Sequence, residues 1–300
     1  MISQQKPFFG AHMPTSGGAA NGIISGHKIR CDAVQIFTSS PRQWKSSALT
    51  DDAINAFKRA CSECAIAVTI SHDSYLINLA APPESEILAK SHAAFREEIL
   101  RAEALNLNYI VSHPGAHGGD GDDVGIARLV KSLDKIHDET AGAKVVVALE
   151  TTAGQGTYLG GRFEHLERIL SSVKAPERIG VCLDTCHIFA AGYDVRDRTA
   201  YEETMELFSD IIGMQMLKVV HANDSKGKFG SRTDRHAHIG EGEIGMEAFH
   251  LLVNDPRLAG IPIIVETPES ETMHEVNVAK LRGFHGASLS TFLNNDAAPV

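Results

Sequence analysis

The sequence predicts a single-domain α/β protein, a (βα)8 TIM barrel spanning its 300 residues. Three observations predict it. Short runs rich in Val and Ile recur along the chain, most of them ending abruptly in an ionisable or polar residue. Stretches of helical periodicity separate these runs. From His72 to Glu266 the run ends fall at intervals of 41, 37, 34, 37 and 45 residues. Eight such units fill the chain, and barrels of this kind take about 250 residues. No Pro- or Ser-rich linker interrupts the series, which disfavours an open doubly wound sheet with a second domain.

Each element follows in order. Phe8 to His12 fits the strand pattern loosely. Val34 to Phe37 ends at Thr38, Ile66 to Ile70 leads into Ser71-His72, and Tyr109 to Val111 leads into Ser112-His113. Val145 to Leu149 ends on Glu150, and Ile179 to Leu183 ends on Asp184. Leu217 to Val220 ends on His221, and Ile261 to Val265 ends on Glu266. These runs are too short for globular helices and read as buried parallel strands. Helices are expected over Asp51–Glu63, Glu84–Leu105, Asp122–Thr140, Phe163–Ser172, Tyr201–Met216, Met246–Val253 and Glu275–Gly283. Asp51-Asp52 supplies an acidic N-terminus to the first. Leu88, His92, Phe95, Ile99 and Ala102 form an apolar stripe on the second. Residues 1–7 and 284–300 are expected to be peripheral or frayed.

Composition narrows the function classes. The chain is 43% hydrophobic and 22% charged, an ordinary globular balance. Twenty-eight Lys and Arg against 38 Asp and Glu give a formal charge of −10, which excludes a broadly basic nucleic-acid surface. Any positive field must be confined to one face. No apolar run reaches the roughly 18–20 residues of a membrane helix. The N-terminus has no signal core, so a cytoplasmic protein is expected. The five cysteines then read as reduced packing residues. Cys61-Ser-Glu-Cys64 lies in an expected helix without a second pair, and Cys186 and His238 are read as packing or supporting residues.

In a parallel barrel the C-terminal strand ends open onto one face, where active sites sit. His72, His113, Glu150, Asp184, His221 and Glu266 therefore converge there. Asp184-Thr-Cys-His187 adds an imidazole, and Asp234-Arg-His236 adds an acid and an imidazole from a loop. Each alone has a bland reading as a hydrogen-bonding cap; the joint placement is what argues for function. Carboxylates crowded together repel unless cations lie between them. Imidazole and carboxylate without thiolate suit zinc, with Mn2+ or Fe2+ able to substitute. Two or three clustered ions fit so many ligands and are a standard device for phosphoryl displacement. Gly240-Glu-Gly242-Glu-Ile-Gly245 matches a dinucleotide fingerprint, but the charged segment before it does not read as a strand. It is read instead as a mobile loop carrying Asp234 and His236.

At these residues the chain resembles the endonuclease IV family of apurinic/apyrimidinic endonucleases. The matching segments include Gly10-Ala-His12, Arg42-Gln-Trp44, Ser71-His-Asp-Ser-Tyr-Leu-Ile-Asn-Leu79 and His113-Pro-Gly-Ala-His117. They continue through Glu150-Thr-Thr-Ala-Gly-Gln-Gly156, Leu183-Asp-Thr-Cys-His187, His221-Ala-Asn-Asp224, Phe229-Gly-Ser-Arg-Thr-Asp-Arg-His236 and Val265-Glu-Thr-Pro268. The resemblance implies three zinc ions. His72 and His113 would hold the first, with Glu150 bridging to the second. Asp184, His221 and Glu266 would complete the second, and His187, Asp234 and His236 the third. It also implies hydrolysis of DNA on the 5′ side of abasic sites, trimming of blocked 3′ ends, and a monomeric enzyme. Glu150 and Glu266 would act in catalysis through a metal-held hydroxide. Arg42, Tyr75 and Leu76 match the positions that enter the minor groove. Thr151 and Ala222 depart from the Asn and the larger apolar residue common in the family. The alternatives are a sugar isomerase or epimerase on a similar barrel, and a catalytically silent lesion binder.

Overall fold

Eight parallel strands close into a barrel in the computed structural model, which describes residues 6–288. The strands are β1 (Phe8–His12), β2 (Ala33–Phe37), β3 (Val68–His72), β4 (Tyr109–Ser112), β5 (Val146–Glu150), β6 (Ile179–Asp184), β7 (Leu217–His221) and β10 (Pro262–Val265). Their order around the barrel is β1-β10-β7-β6-β5-β4-β3-β2. Between β7 and β10 lies a separate hairpin, β8 (Asp224–Ser225) and β9 (His236–Ala237), paired antiparallel.

The helices are α1 (Ala19–Lys28), α2 (Asp51–Glu63), α3 (Glu86–Leu105), α4 (Asp122–Glu139), α5 (Phe163–Ser172), α6 (Thr185–Ala191), α7 (Arg198–Ile211), α8 (Met246–Asn254) and α9 (Ser270–Phe284). Local chemistry sets several starts. Thr50, Ser85 and Asp197 cap α2, α3 and α7 by accepting from the amides of Ala53, Leu88 and Ala200. Asn106 ends α3 in the left-handed conformation.

The sequence pattern overlooks two helices. The α1 segment contains Gly22 and Gly26, which weaken its periodicity but permit close packing: a Cβ at Gly22 would meet Ile36 Cγ2 at 2.8 Å. The short helix α6 follows directly from the end of β6, so the apolar run masks it. The expected helix over Tyr201–Met216 starts earlier, at Arg198, and ends at Ile211, with a separate 3-10 turn at Met214–Met216. The last helix begins at Ser270, ahead of its expected start at Glu275.

Two apolar layers hold the barrel. Inside it, Ala33, Val68, Ile70, Val111, Ala148, Cys182, Val219 and Ile264 form a buried plug. Outside it, strands and helices share the larger core, with Phe95, Leu129, Leu166 and Phe208 fully buried. Phe284, expected to start a frayed tail, belongs to this core at 1% exposure. Residues 1–5 and 289–300 of the two expected frayed ends lie outside the described residues. Among the described residues no helix is long and apolar enough to cross a membrane.

Candidate metal centre

Strand pleat sets the site. Residues two apart on a strand share a face, so the residue two beyond the last plug position of each strand faces the mouth. Ile70 leads to His72, Val111 to His113, Ala148 to Glu150, Cys182 to Asp184, Val219 to His221 and Ile264 to Glu266. The same rule carries Gly10 to His12 and Ala33 to Gln35. A short helix, α6, brings in His187, and the β8–β9 hairpin brings in Asp234 and His236.

Glu150 lies at the centre, fully buried. Its Oε2 is 3.2 Å from His72 Nε2 and 2.9 Å from His113 Nε2, while Oε1 is 2.9 Å from His221 Nδ1 and 3.3 Å from His187 Nδ1. Glu266 Oε2 is 3.1 Å from His221 Nδ1, and Asp184 Oδ2 is 3.8 Å from it. Asp234 Oδ2 lies 3.2 Å from His187 Nε2, and Oδ1 lies 3.3 Å from His236 Nε2. Among the described residues, five groups of ligand-type atoms result, the atoms of each within 4.8 Å of one another; two include a thiol (Glu150, Cys182, His221 and Asp184, Cys186, His236), and three are built from imidazole and carboxylate alone: His72, His113, Glu150; Glu150, Asp184, His221, Glu266; and His187, Asp234, His236.

The imidazoles are oriented from behind. His72 Nδ1 is 2.9 Å from the Asp73 carbonyl, His187 Nδ1 is 2.8 Å from the Thr151 carbonyl, and His236 Nδ1 is 3.1 Å from the Glu266 carbonyl. His221 Nε2 is 2.9 Å from Gln35 Oε1. A carbonyl only accepts, so each of these nitrogens carries a proton, and the opposite nitrogen of each ring is the one that faces inward and would become a metal ligand on losing its own proton. Metal-binding histidines have this arrangement. His236 Nε2 is buried and makes no well-directed hydrogen bond, as a waiting ligand atom would.

The electrostatics also call for cations. Burial alone would lower His72, but the carboxylates of Glu150, Glu266 and Asp73 raise it to about 9. Burial likewise opposes charge on His187 and His221, yet both are pushed well above the ordinary range, His187 by Asp184, Asp234 and Glu150, and His221 by Cys182 and the carboxylates of Glu266 and Glu150. Glu150 and Glu266 resist the upward push of burial and are held well below the usual range, first by His221. Without positive charge these acids would repel one another; protons or divalent ions must supply it. The donor set therefore fits metal. Burial pushes the Cys182 and Cys186 thiols up to about 12, so both are neutral in the metal-free site.

Residues that sequence reasoning left out complete the site. Gln35 Nε2 donates to Glu266 Oε1 at 2.6 Å, and His12 Nδ1 lies 3.0 Å from the same oxygen. Asn223 Nδ2 donates to Asp184 Oδ2 at 2.7 Å, and its Oδ1 accepts from the Glu266 amide. The alternating plug pattern could have found Gln35 and His12; an uncharged residue inside a strand gives no signal of its own. Thr151 Oγ1 accepts from the Asp184 amide at 2.9 Å, a local use for the hydroxyl at this departure from the family pattern.

The expected mobile loop at 240–245 is instead tied down, because the amides of Gly240, Gly242, Ile244 and Gly245 all donate to Asp224. Arg42, Tyr75 and Leu76 lie on the rim in two adjoining loops, joined by Ser74 Oγ donating to the Pro41 carbonyl at 2.8 Å. Arg42 is exposed, Leu76 half-buried and Tyr75 59% exposed. Tyr75 packs edge-on against Phe37 and lines two clefts beside the centre, of about 320 and 360 Å³.

Known proteins share this architecture and sequence. Residues 27–283 match the family model described as a xylose isomerase-like TIM barrel. A protein from Chloroflexus aurantiacus named probable endonuclease 4 is 47% identical over 278 residues, covering 92% of this chain and 97% of that protein. The solved structure of endonuclease IV from Thermus thermophilus superposes with a TM-score of 0.82 at 32% identity, covering 93% of this chain and 98% of that one. A D-tagatose 3-epimerase-like protein superposes at TM-score 0.71 over 97% of this chain and 100% of its own, but at 18% identity it shares the fold alone. By its sequence identity over nearly the whole length, the chain belongs to the endonuclease IV family within the xylose isomerase-like TIM barrels.

Proposed function

We propose that this chain is a metal-dependent DNA repair endonuclease that hydrolyses the phosphodiester 5′ to abasic sites, leaving a 3′-hydroxyl and a 5′-deoxyribose phosphate. The same site would trim blocked 3′ ends. One observation carries the reading: five imidazoles and four carboxylates converge as three ligand groups, two of them sharing Glu150. His72, His113 and Glu150 would hold one zinc ion, Glu150, Asp184, His221 and Glu266 a second, and His187, Asp234 and His236 a third. Zinc, when bound, supplies an activated water at neutral pH and positive charge against a phosphate in displacement.

The chain's own groups do the rest. Glu150 presents one oxygen to each side and keeps the first two groups in fixed relation. Gln35 and His12 hold Glu266 Oε1, leaving Oε2 toward His221. The loop between β8 and β9 exposes Lys226, Lys228, Arg232 and Arg235, a local positive field on an acidic protein that suits a polyanion. Tyr75 and Leu76 would fill the gap left by an extruded abasic nucleotide, which is cheap to unstack, while Arg42 enters the minor groove. A sugar epimerase needs one or two ions and would leave His187, Asp234 and His236 without a task.

The test is a duplex oligonucleotide with a single abasic analogue, incubated with the zinc-loaded protein beside an undamaged duplex. Cleavage confined to the 5′ side of the lesion is expected. An intact lesion strand at full metal loading would sink the reading, and retarded but uncut DNA would mark a silent binder. Elemental analysis should find three zinc ions per chain.

A further inference from the structure

The 224–245 segment carries Asp234 and His236, yet its regular structure amounts to a pair of two-residue strands. Bonds from the Gly230 and Arg232 amides to the carbonyls of Phe189 and Ala190, and from the Ile239 amide to Asn277 Oδ1, tie it to the barrel, and its internal anchor is Asp224. This carboxylate is fully buried and accepts from five backbone amides: Ser225 at 2.7 Å, Gly240, Gly242 and Ile244 at 3.0 Å each, and Gly245 at 3.3 Å. A buried carboxylate is costly unless hydrogen-bonded, and charge-assisted bonds from converging amides are among the stronger ones. The fit is close on both sides. A Cβ at Gly242 would collide with Asp224 Oδ1 and with the Ser225 carbonyl.

Asp224 pairs with Ala237 across the hairpin, and Ser225 pairs with His236. The Glu243 amide donates to the Ser225 carbonyl at 2.8 Å, so the 240–245 turn is bound to β8 at two successive residues. His236 therefore takes its backbone position from a strand that the Asp224 clamp braces, and its ring orientation from the Glu266 carbonyl, 3.1 Å from Nδ1. Asp234 shares the hairpin with His236, and apart from these two and His187 the ligand-type residues stand at barrel strand ends and take their positions from the sheet ladder. His187 is fixed separately, its amide donating to Asp184 Oδ1 at 2.8 Å.

We propose that Asp224 is a positioning residue for one metal ion only, the one assigned to His187, Asp234 and His236; this rests on the three-ion reading above. Neutralising it should loosen the hairpin and weaken that ion while the two strand-held ions remain.

The test uses the full chain with zinc alone. Wild type, Asp224→Asn and Asp224→Ala are loaded, dialysed against buffered zinc and analysed for metal content. Wild type should retain three ions and the variants two, the affinity for the third falling about 10- to 100-fold as for other residues that support metal ligands. Variants that keep three ions at wild-type affinity overturn the proposal. So does loss of all the zinc together, which would mark Asp224 as a general stability residue. Wild type holding fewer than three ions overturns the three-ion reading itself, and this proposal with it. If the variants do not fold, hydrogen exchange on zinc-stripped wild type decides. The amides of Gly240, Gly242, Ile244 and Gly245 should then exchange on the order of 100-fold slower than an open chain. Open-chain rates would overturn the clamp.

Discussion

The floor and the mouth of the barrel are built on the same strands, two residues apart, and their chemistry is opposite. On β3 the floor residue is Ile70 and the mouth residue His72; on β5 they are Ala148 and Glu150; on β10 Ile264 is followed by Glu266 just past the strand end. Two residues of strand span only about 7 Å. Below that step lies a buried apolar plug of small and branched side chains. Above it lie desolvated acids and imidazoles. The contrast teaches a division of labour: the plug holds the backbone at a spacing set by the sheet ladder, and the mouth residues are thereby held in positions that their mutual repulsion would otherwise spread.

The largest expected effect lies at the mouth. Glu150→Gln should lower lesion-strand cleavage by about 10³-fold or more, since it removes the shared carboxylate from a preorganised electrostatic site. Thermal melting of the metal-stripped variant should stay close to that of stripped wild type. A collapse of folding on this change would break the division, because the mouth would then be supporting the barrel. Next comes the floor. Ile70→Ala should cost about 2–5 kcal/mol of stability, the usual range for a large-to-small change in a packed core. Denaturant unfolding measures it, and zinc content at low temperature should stay at the wild-type value. Loss of zinc with unchanged stability would reverse the assignment. The smallest effect probes the seam between the two regions. Gln35 sits two residues above Ala33 but binds Glu266 and His221 rather than a metal. Gln35→Ala should weaken zinc retention about 10- to 100-fold in chelator competition. Retention equal to wild type would show that Glu266 needs no support from below.

Much of this division is legible in the amino-acid order. Seven strand ends announce themselves because a β-branched run stops at a polar or ionisable residue. Nine of the converging residues carry side chains whose chemistry is conspicuous. Gln35 and His12 escape because one is an uncharged amide inside an apolar strand and the other follows a glycine that interrupts its run. Helix α1 escapes because Gly22 and Gly26, which let it pack closely on β2, also erase its periodic stripe. The glycine-rich 240–245 turn looks mobile in sequence, where glycine means freedom. In the fold its amides converge on one carboxylate, that of Asp224, well before it in the chain.

The sequence by itself determined the alternation of strand and helix, the barrel class and the six ionisable residues at the strand ends, because these depend on local pattern and a two-residue period. Only the tertiary structure decided which oxygen of Glu150 faces which imidazole, which ring nitrogen is left bare, and that Asp224 anchors the hairpin. Those outcomes depend on contacts between residues as far apart as 254 positions, such as His12 with Glu266. Distances of that kind are set by closure of the barrel and leave no periodic trace along the chain.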